Sequence, residues 1–244
     1  MTLLEVCVDD ATGLAAAVTG GADRIELCSA LELGGLTPSA GLIAQAARSP
    51  VPVRAMVRPR PGDFVFDADL VETMRGEIVA IRQAGLAGVV LGASLPDGRL
   101  DMATLRMLVD VAGDLPKTLH RAFDLVPDLA EAIEQAIELG FDTVLTSGRA
   151  VNALAGIDDI IEAHGLAAGR IAIMAGAGLD AANVHTILDR VTLPAVHGSC
   201  SAPAAPASSP ATRLGFASAG RRATSSGKVA ALKAALSSGR SSAS

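Results

Sequence analysis

The chain has 244 residues, half of them apolar, with five Phe, no Trp and no Tyr, and a formal net charge of −6. That composition can bury a sizeable core, while the acidic balance and scarcity of aromatics argue against a nucleic-acid partner. No run reaches the ~18–20 apolar residues of a membrane span, no basic-then-apolar leader opens the chain, and three cysteines suit a reducing cytoplasm better than a disulfide scaffold.

In chain order, a strand is predicted over residues 3–8 and a helix over 11–18, then a strand over 24–28 and a helix over 38–47 with Pro38 in its first turn. Strands follow at 51–57, 88–91, 117–122, 143–146, 170–174 and 195–198. Helices alternate with them at 68–84, 102–112, 128–139, 152–164 and 181–191, and a last helix falls at 229–236. Most strands are near-continuous apolar runs, as expected of a parallel sheet covered on both faces. Gly20, Gly85, Gly140 and Gly165 sit where helices need a left-handed cap. The phrases AGLAGVV at 84–90, LGFDTVL at 139–145 and TGGADRIEL at 19–27 repeat one helix–Gly–strand rhythm. Eight such units predict an α/β chain folded as a single (β/α)8 TIM-type barrel. An open doubly wound sheet is the alternative, weakened by the lack of GxGxxG after the first strand. The barrel core is assigned to residues 1–200, an irregular Ala/Ser/Pro-rich segment to 201–227, and a closing helix with its tail to 228–244.

Chemistry in such a barrel collects at the carboxyl ends of the strands. Those ends carry Glu5, Cys7 and Asp9; Glu26 and Cys28; Arg58 and Arg60; His120, Arg121 and Asp124; Ser147 and Gly148; Gly176 and Gly178; and His197, Ser199 and Cys200. The opposite ends, at Pro50, Ala87 and Leu115, carry little. Alternation along a strand puts Glu5 with Cys7, and Glu26 with Cys28, on one face. Both Glu-x-Cys pairs recur at a 21-residue offset. In similar register on strands ~4.8 Å apart, Cys7 and Cys28 would share one soft monovalent ion such as Cu(I). Glu5 would then lie near Glu26, and one acid must keep a proton or take a cation from Arg58 or Arg121. That pairing also suits acid–base work. In an enzyme reading, Glu5, Glu26, Arg58, His120 and Asp124 hold substrate and move protons. Backbone groups at Ser147, Gly148, Gly176 and Gly178 meet the anionic end of a phosphorylated or carboxylated metabolite. Plainer alternatives stand beside these: buried thiols as small apolar filler, and Arg–Glu pairs as structural barrel layers.

The motifs EVCVDD, GGADRIELCSALELGGLTPSAG, MVRPRPGDF, GVVLGASLPDGRLD, LHRAFD, LTSG, IAIMAGAGL and VHGSC occur in that order. Together they resemble the CutC family, known as copper homeostasis proteins. The resemblance runs from Leu3 to about Cys200. It implies a cytosolic TIM-type barrel associated with copper, often a homo-oligomer, whose copper(I) ligands correspond to Cys7 and Cys28.

Overall fold

A computed structural model describes residues 2–205, 208–216 and 220–238. Eight parallel strands close into a barrel in sequence order, with the last pairing to the first. They are β1 (Leu3–Val8), β2 (Arg24–Leu27), β3 (Val53–Met56), β4 (Gly88–Leu91), β5 (Lys117–Leu119), β6 (Thr143–Thr146), β7 (Ala172–Ala175) and β8 (Ala195–Gly198). Around them run α1 (Ala11–Thr19), α2 (Ala40–Ala46), α3 (Ala68–Gln83), α4 (Met102–Ala112), α5 (Leu129–Glu138), α6 (Ile157–Ala167) and α7 (Val184–Leu188). This is the single-domain (β/α)8 barrel expected from the repeating rhythm.

Alternate strand residues serve two cores. Val6, Ile25, Val89, Val144, Ile173 and Val196 face outward and pack under the helices in one continuous apolar shell. The inward positions hold two small apolar clusters, Leu145–Met174–Ala195 and Cys28–Met56–Val90. Many of the other inward positions are polar and need partners. Towards the amino ends of the strands, Arg54 reaches Asp142 at 2.7 Å and Thr118 Oγ1 at 2.8 Å. That pairing ties β3 to β5 and to the start of β6.

Helix starts follow the expected chemistry: Asp10, Ser39, Asp67, Asp101 and Asp128 each accept a backbone N–H of the first turn. Two helix ends differ from expectation. Gly20 is right-handed, and Gly21 takes the positive φ instead. α6 runs through Gly165 and stops at the left-handed Ala168. Gly20 is required for a different reason. A Cβ there would lie 2.5 Å from Val229 Cβ and 2.7 Å from the Ser226 carbonyl.

Within residues 201–227, the described part forms a two-stranded antiparallel ribbon, β9 (Ser201–Pro203) with β10 (Arg222–Thr224), and a short α8 (Ser209–Arg213). α9 (Ser226–Ser238) then packs on α1, where Lys233 Nζ meets both oxygens of Asp23 at 2.5 and 2.6 Å. Asp23 also accepts the Leu4 N–H at 2.7 Å, so one carboxylate joins the closing helix to the first strand. The tail at 239–244 lies outside the described residues. No helix among the described residues is long and apolar enough to cross a membrane.

The two glycines separate close packing from cap geometry. Gly20→Ala should cost roughly 1–3 kcal/mol in urea unfolding, because it overpacks the α1–α9 contact. Gly165→Ala, whose added Cβ meets nothing within 4 Å, should stabilise by roughly 0.5–1 kcal/mol as a helix-interior replacement.

Candidate functional site

The mouth of the barrel encloses a pocket of about 330 Å³ at the carboxyl ends of the strands. Its floor is built from the first and last strands. Glu5 pairs in register with Arg24 on β2 and with His197 on β8, which sets the three side chains at one level. Glu5 is wholly buried; its Oε2 accepts from Arg24 Nε, and its Oε1 lies 2.9 Å from His197 Nδ1. Burial alone would raise the Glu5 pKa, but the His197 hydrogen bond and the Arg24 charge override it and hold the carboxyl down to about 2. Arg24 completes its contacts on Met174 Sδ at 3.5 Å.

One level up, Cys7 pairs with Glu26. His197 Nε2 stands 3.7 Å from Glu26 Oε2, so a single imidazole bridges the two acids. Burial opposes a charge on His197, yet the Glu26 and Cys7 side chains raise its pKa well above the ordinary value. Burial raises the Glu26 pKa in turn, and the nearby Glu5 charge adds to that effect. Cys7, Glu26 and His197 each offer a ligand atom, and these atoms all lie within 4.8 Å of one another.

The opposite wall is different in character. Arg58 donates to the carbonyls of Leu33, Gly35 and Gly62 at 3.0, 3.1 and 2.8 Å. Its guanidinium lies 5.0 Å from the Phe64 ring centroid, and the Phe64 and His120 centroids are 4.7 Å apart. Arg58 folds back in this way because the 30–35 and 58–64 loops turn their carbonyls towards it. His120 closes β5 and opens a short 3₁₀ turn over Arg121–Leu125, its Nδ1 accepting the Ala122 N–H at 3.1 Å. Gly92 makes room for that ring, since a Cβ there would sit 2.5 Å from His120 Cε1. Burial, helped by the Arg58 charge, depresses the His120 pKa to about 3.

The CutC family profile matches residues 2–202. A CutC family protein of Sinorhizobium medicae is 53% identical over 234 residues, covering 96% of each chain. One of Caulobacter vibrioides is 53% identical over 213 residues, covering 87% of this chain and 86% of its own. The crystal structure of CutC from Streptococcus agalactiae, a protein named for copper homeostasis, superposes with a TM-score of 0.78 at 30% identity. It covers 82% of this chain and 99% of its own. This chain belongs to the CutC family. Barrel enzymes such as thiamine phosphate pyrophosphorylase from Pyrococcus furiosus match with a TM-score of 0.57 at 14% identity and share the fold alone.

In this CutC barrel the residues singled out in the sequence fall into three places. Glu5, Cys7, Glu26 and Cys28 all face inward, but β1 and β2 are staggered, so Cys7 stands opposite Glu26 rather than Cys28. The Cys28 thiol lies 3.6 Å from Glu26 Oε2 and packs against Met56 and Val90. Its pKa is raised well above the ordinary thiol value, by burial first and then by the Glu26 charge. Arg58 and His120 line the pocket. Asp124 instead fastens the β5 and β6 ends together: it accepts from Arg121 Nε at 2.7 Å, Thr146 Oγ1 at 2.5 Å and the Ser147 N–H at 3.0 Å. The Gly148 N–H goes to Thr146 Oγ1 and the Gly176 N–H to the Thr146 carbonyl, which leaves Gly178 as the pocket-lining member of that set.

The expected cation beside Glu5 was Arg58 or Arg121; in the structure Arg24 and His197 supply it. Arg24 is legible in hindsight, because Arg24-Ile-Glu26 alternation puts it on the inward face. Phe64 carries no such signal.

Two measurements follow. Glu5→Leu should destabilise the barrel by about 3–5 kcal/mol, since it strands the buried Arg24 charge; Glu5→Leu combined with Arg24→Met should recover most of that loss in chemical denaturation. For acid stability the unfolded His120 takes a proton near pH 6.5 and the folded one only near 3. Its contribution is therefore complete above about pH 6.5 and is lost as pH falls. Between pH 6.5 and 4.5 that amounts to roughly 2–3 kcal/mol, at about 1.4 kcal/mol per unit. A His120→Gln variant should show a correspondingly flatter stability profile over this window.

Proposed function

We propose that the mouth of this barrel binds copper within a reducing cytoplasm, through Cys7 with His197 and Glu26. The observation that carries this reading is the convergence of those three ligand atoms within 4.8 Å. The donor set fits the ion: thiolate and imidazole are the protein ligands copper favours. His197 is also prepared for the task. Its Nδ1 is tied to Glu5, which leaves Nε2 as the ring atom on the Cys7–Glu26 side, and a carboxylate behind a histidine is the usual means of fixing a metal-binding ring. Copper itself would bring positive charge beside a buried thiol, acid and imidazole. Cys28 stands beside Glu26 and supports the set from behind. The family relation to proteins named for copper homeostasis points the same way.

A second reading has its own support. The pocket has the volume of a small-molecule site, and Glu26 and His197, 3.7 Å apart, both line it as acid–base groups. An enzyme acting on a small anionic metabolite would use them as its acid–base pair, and turnover would be lost in Glu26→Gln.

Anaerobic titration of Cu(I) against a chromogenic chelator tests the copper reading. Wild type should take up one ion. Cys7→Ser and His197→Asn should each weaken uptake by at least tenfold, while Cys28→Ser should keep the stoichiometry. Equal losses in the two thiol variants would restore the paired-thiolate site, and unchanged uptake in Cys7→Ser and His197→Asn would dismiss copper from this position.

A further inference from the structure

The wall of the pocket formed by Arg58 and His120 has a chemistry that neither copper nor the Glu26–His197 pair explains. Three arginines are buried among the described residues: Arg24, Arg54 and Arg58. Arg24 pairs with Glu5 and Arg54 with Asp142. Arg58 has no carboxylate within ion-pair distance among the described residues, and its hydrogen bonds go to three neutral carbonyls. Its Nε–H is buried without a partner. A guanidinium taken from water and given only carbonyls keeps its full positive charge, and a protein interior rarely leaves such a charge uncompensated.

The neighbouring His120 repeats the pattern. Its Nδ1 accepts a backbone N–H, so the neutral ring carries its proton on Nε2, and that N–H is also buried without a partner. Phe64 packs against both, its ring centroid 5.0 Å from the Arg58 guanidinium carbon and 4.7 Å from the His120 centroid. All three residues line the same pocket. An acid-free cation and a second unpartnered N–H donor on the same pocket wall suit an anionic group. At the glycine-rich ends of β6 and β7 the Ser147, Gly148 and Gly176 amides are already engaged, which leaves Gly178 as the member of that set beside the pocket.

We propose that Arg58 and His120 form an oxyanion subsite in the mouth of the barrel, holding the carboxylate or phosphate group of a small molecule. The rest of that molecule extends towards Glu26, whose Oε1 is the third buried polar atom of the pocket without a partner. A hydroxyl next to the anionic group would satisfy it. The subsite rests on the pocket wall alone and needs neither bound copper nor turnover.

The test uses the full chain stripped of metal by a chelator, with the His120 ring followed by 15N–1H NMR. The probes are glycolate, methyl phosphate and, as the neutral control, glycolamide. At least one oxyanion should shift the His120 ring signals saturably and bind at least tenfold tighter than glycolamide. Whichever oxyanion is tighter assigns the natural group as carboxylate or phosphate. Arg58→Lys keeps the charge but loses the Nε donor and the planar fork; it should weaken the oxyanion at least tenfold and leave glycolamide unchanged. Indistinguishable binding of oxyanions and glycolamide to wild type overturns the proposal, as does an Arg58→Lys protein that binds the oxyanion as well as wild type. The wild-type comparison decides the matter by itself should the variant fail to fold, and copper uptake plays no part in either result.

Discussion

A carboxylate sealed from water inside a barrel must be neutralised where it stands, and Glu5 is such a group. Removing it from solvent costs several kcal/mol unless charge and hydrogen bonds are returned at once. Arg24 and His197 return them from the strands on either side. The three side chains thereby join the closing seam of the barrel, β8 to β1, to its first internal pairing, β1 to β2. The same contact decides the orientation of His197. With Nδ1 held by Glu5, Nε2 is committed to the level above, where Cys7 and Glu26 face each other. The functional geometry of the mouth is in this sense a consequence of burying one acid below it.

The interior pairs its polar groups closely below the mouth of the barrel. At the amino ends of the strands, Arg54, Asp142, Thr118 and Thr143 satisfy one another. Leu145, Met174 and Ala195 form one apolar cluster inside the barrel, and Cys28, Met56 and Val90 form another. Glu5 and Arg24 are therefore fixed by each other and by His197, while Cys7, Glu26, His197, His120 and Arg58 line the open end. A (β/α)8 barrel is a packed core closed at one end by its own side chains. Here the packing leaves the carboxyl end as the place where ionisable groups remain with unused capacity.

How much of this could be read from the residues follows from what each pattern encodes. The repeated helix–Gly–strand rhythm encodes order and handedness, so the eight-fold barrel was legible, as was the family through its motifs. Alternation along a strand encodes the face, so the inward set of Glu5, Cys7, Glu26 and Cys28 was legible too. Register between strands is not encoded by either pattern. The equal 21-residue offset of the two Glu-x-Cys pairs suggests level pairing, whereas barrel stagger pairs residues 19 apart, Cys7 with Glu26. That two-residue difference moves Cys28 from partner of Cys7 to neighbour of Glu26. Gly20 shows the same limit at a helix end: its glycine answers to the approach of α9 from more than 200 residues away, which no local cap rule contains. Asp124 carries the residue type of a catalytic acid, but its neighbours saturate it with five donors, among them the Ser147 hydroxyl and the Arg149 N–H.

The two sides of the mouth differ in chemistry, and the difference follows the strand order. β8, β1 and β2 contribute Cys7, Glu26 and His197, a set rich in lone pairs once its protons leave. The ends of β3 and β5 contribute Arg58 and His120, a set with N–H donors and no acid of its own. A cation would meet ligand atoms on one side, and an oxyanion would meet N–H donors on the other. Phe64 and Met56 add apolar surface to the same pocket. A pocket with ligand atoms converging on one wall and unpartnered N–H groups on the other has polar capacity that its own side chains do not use up.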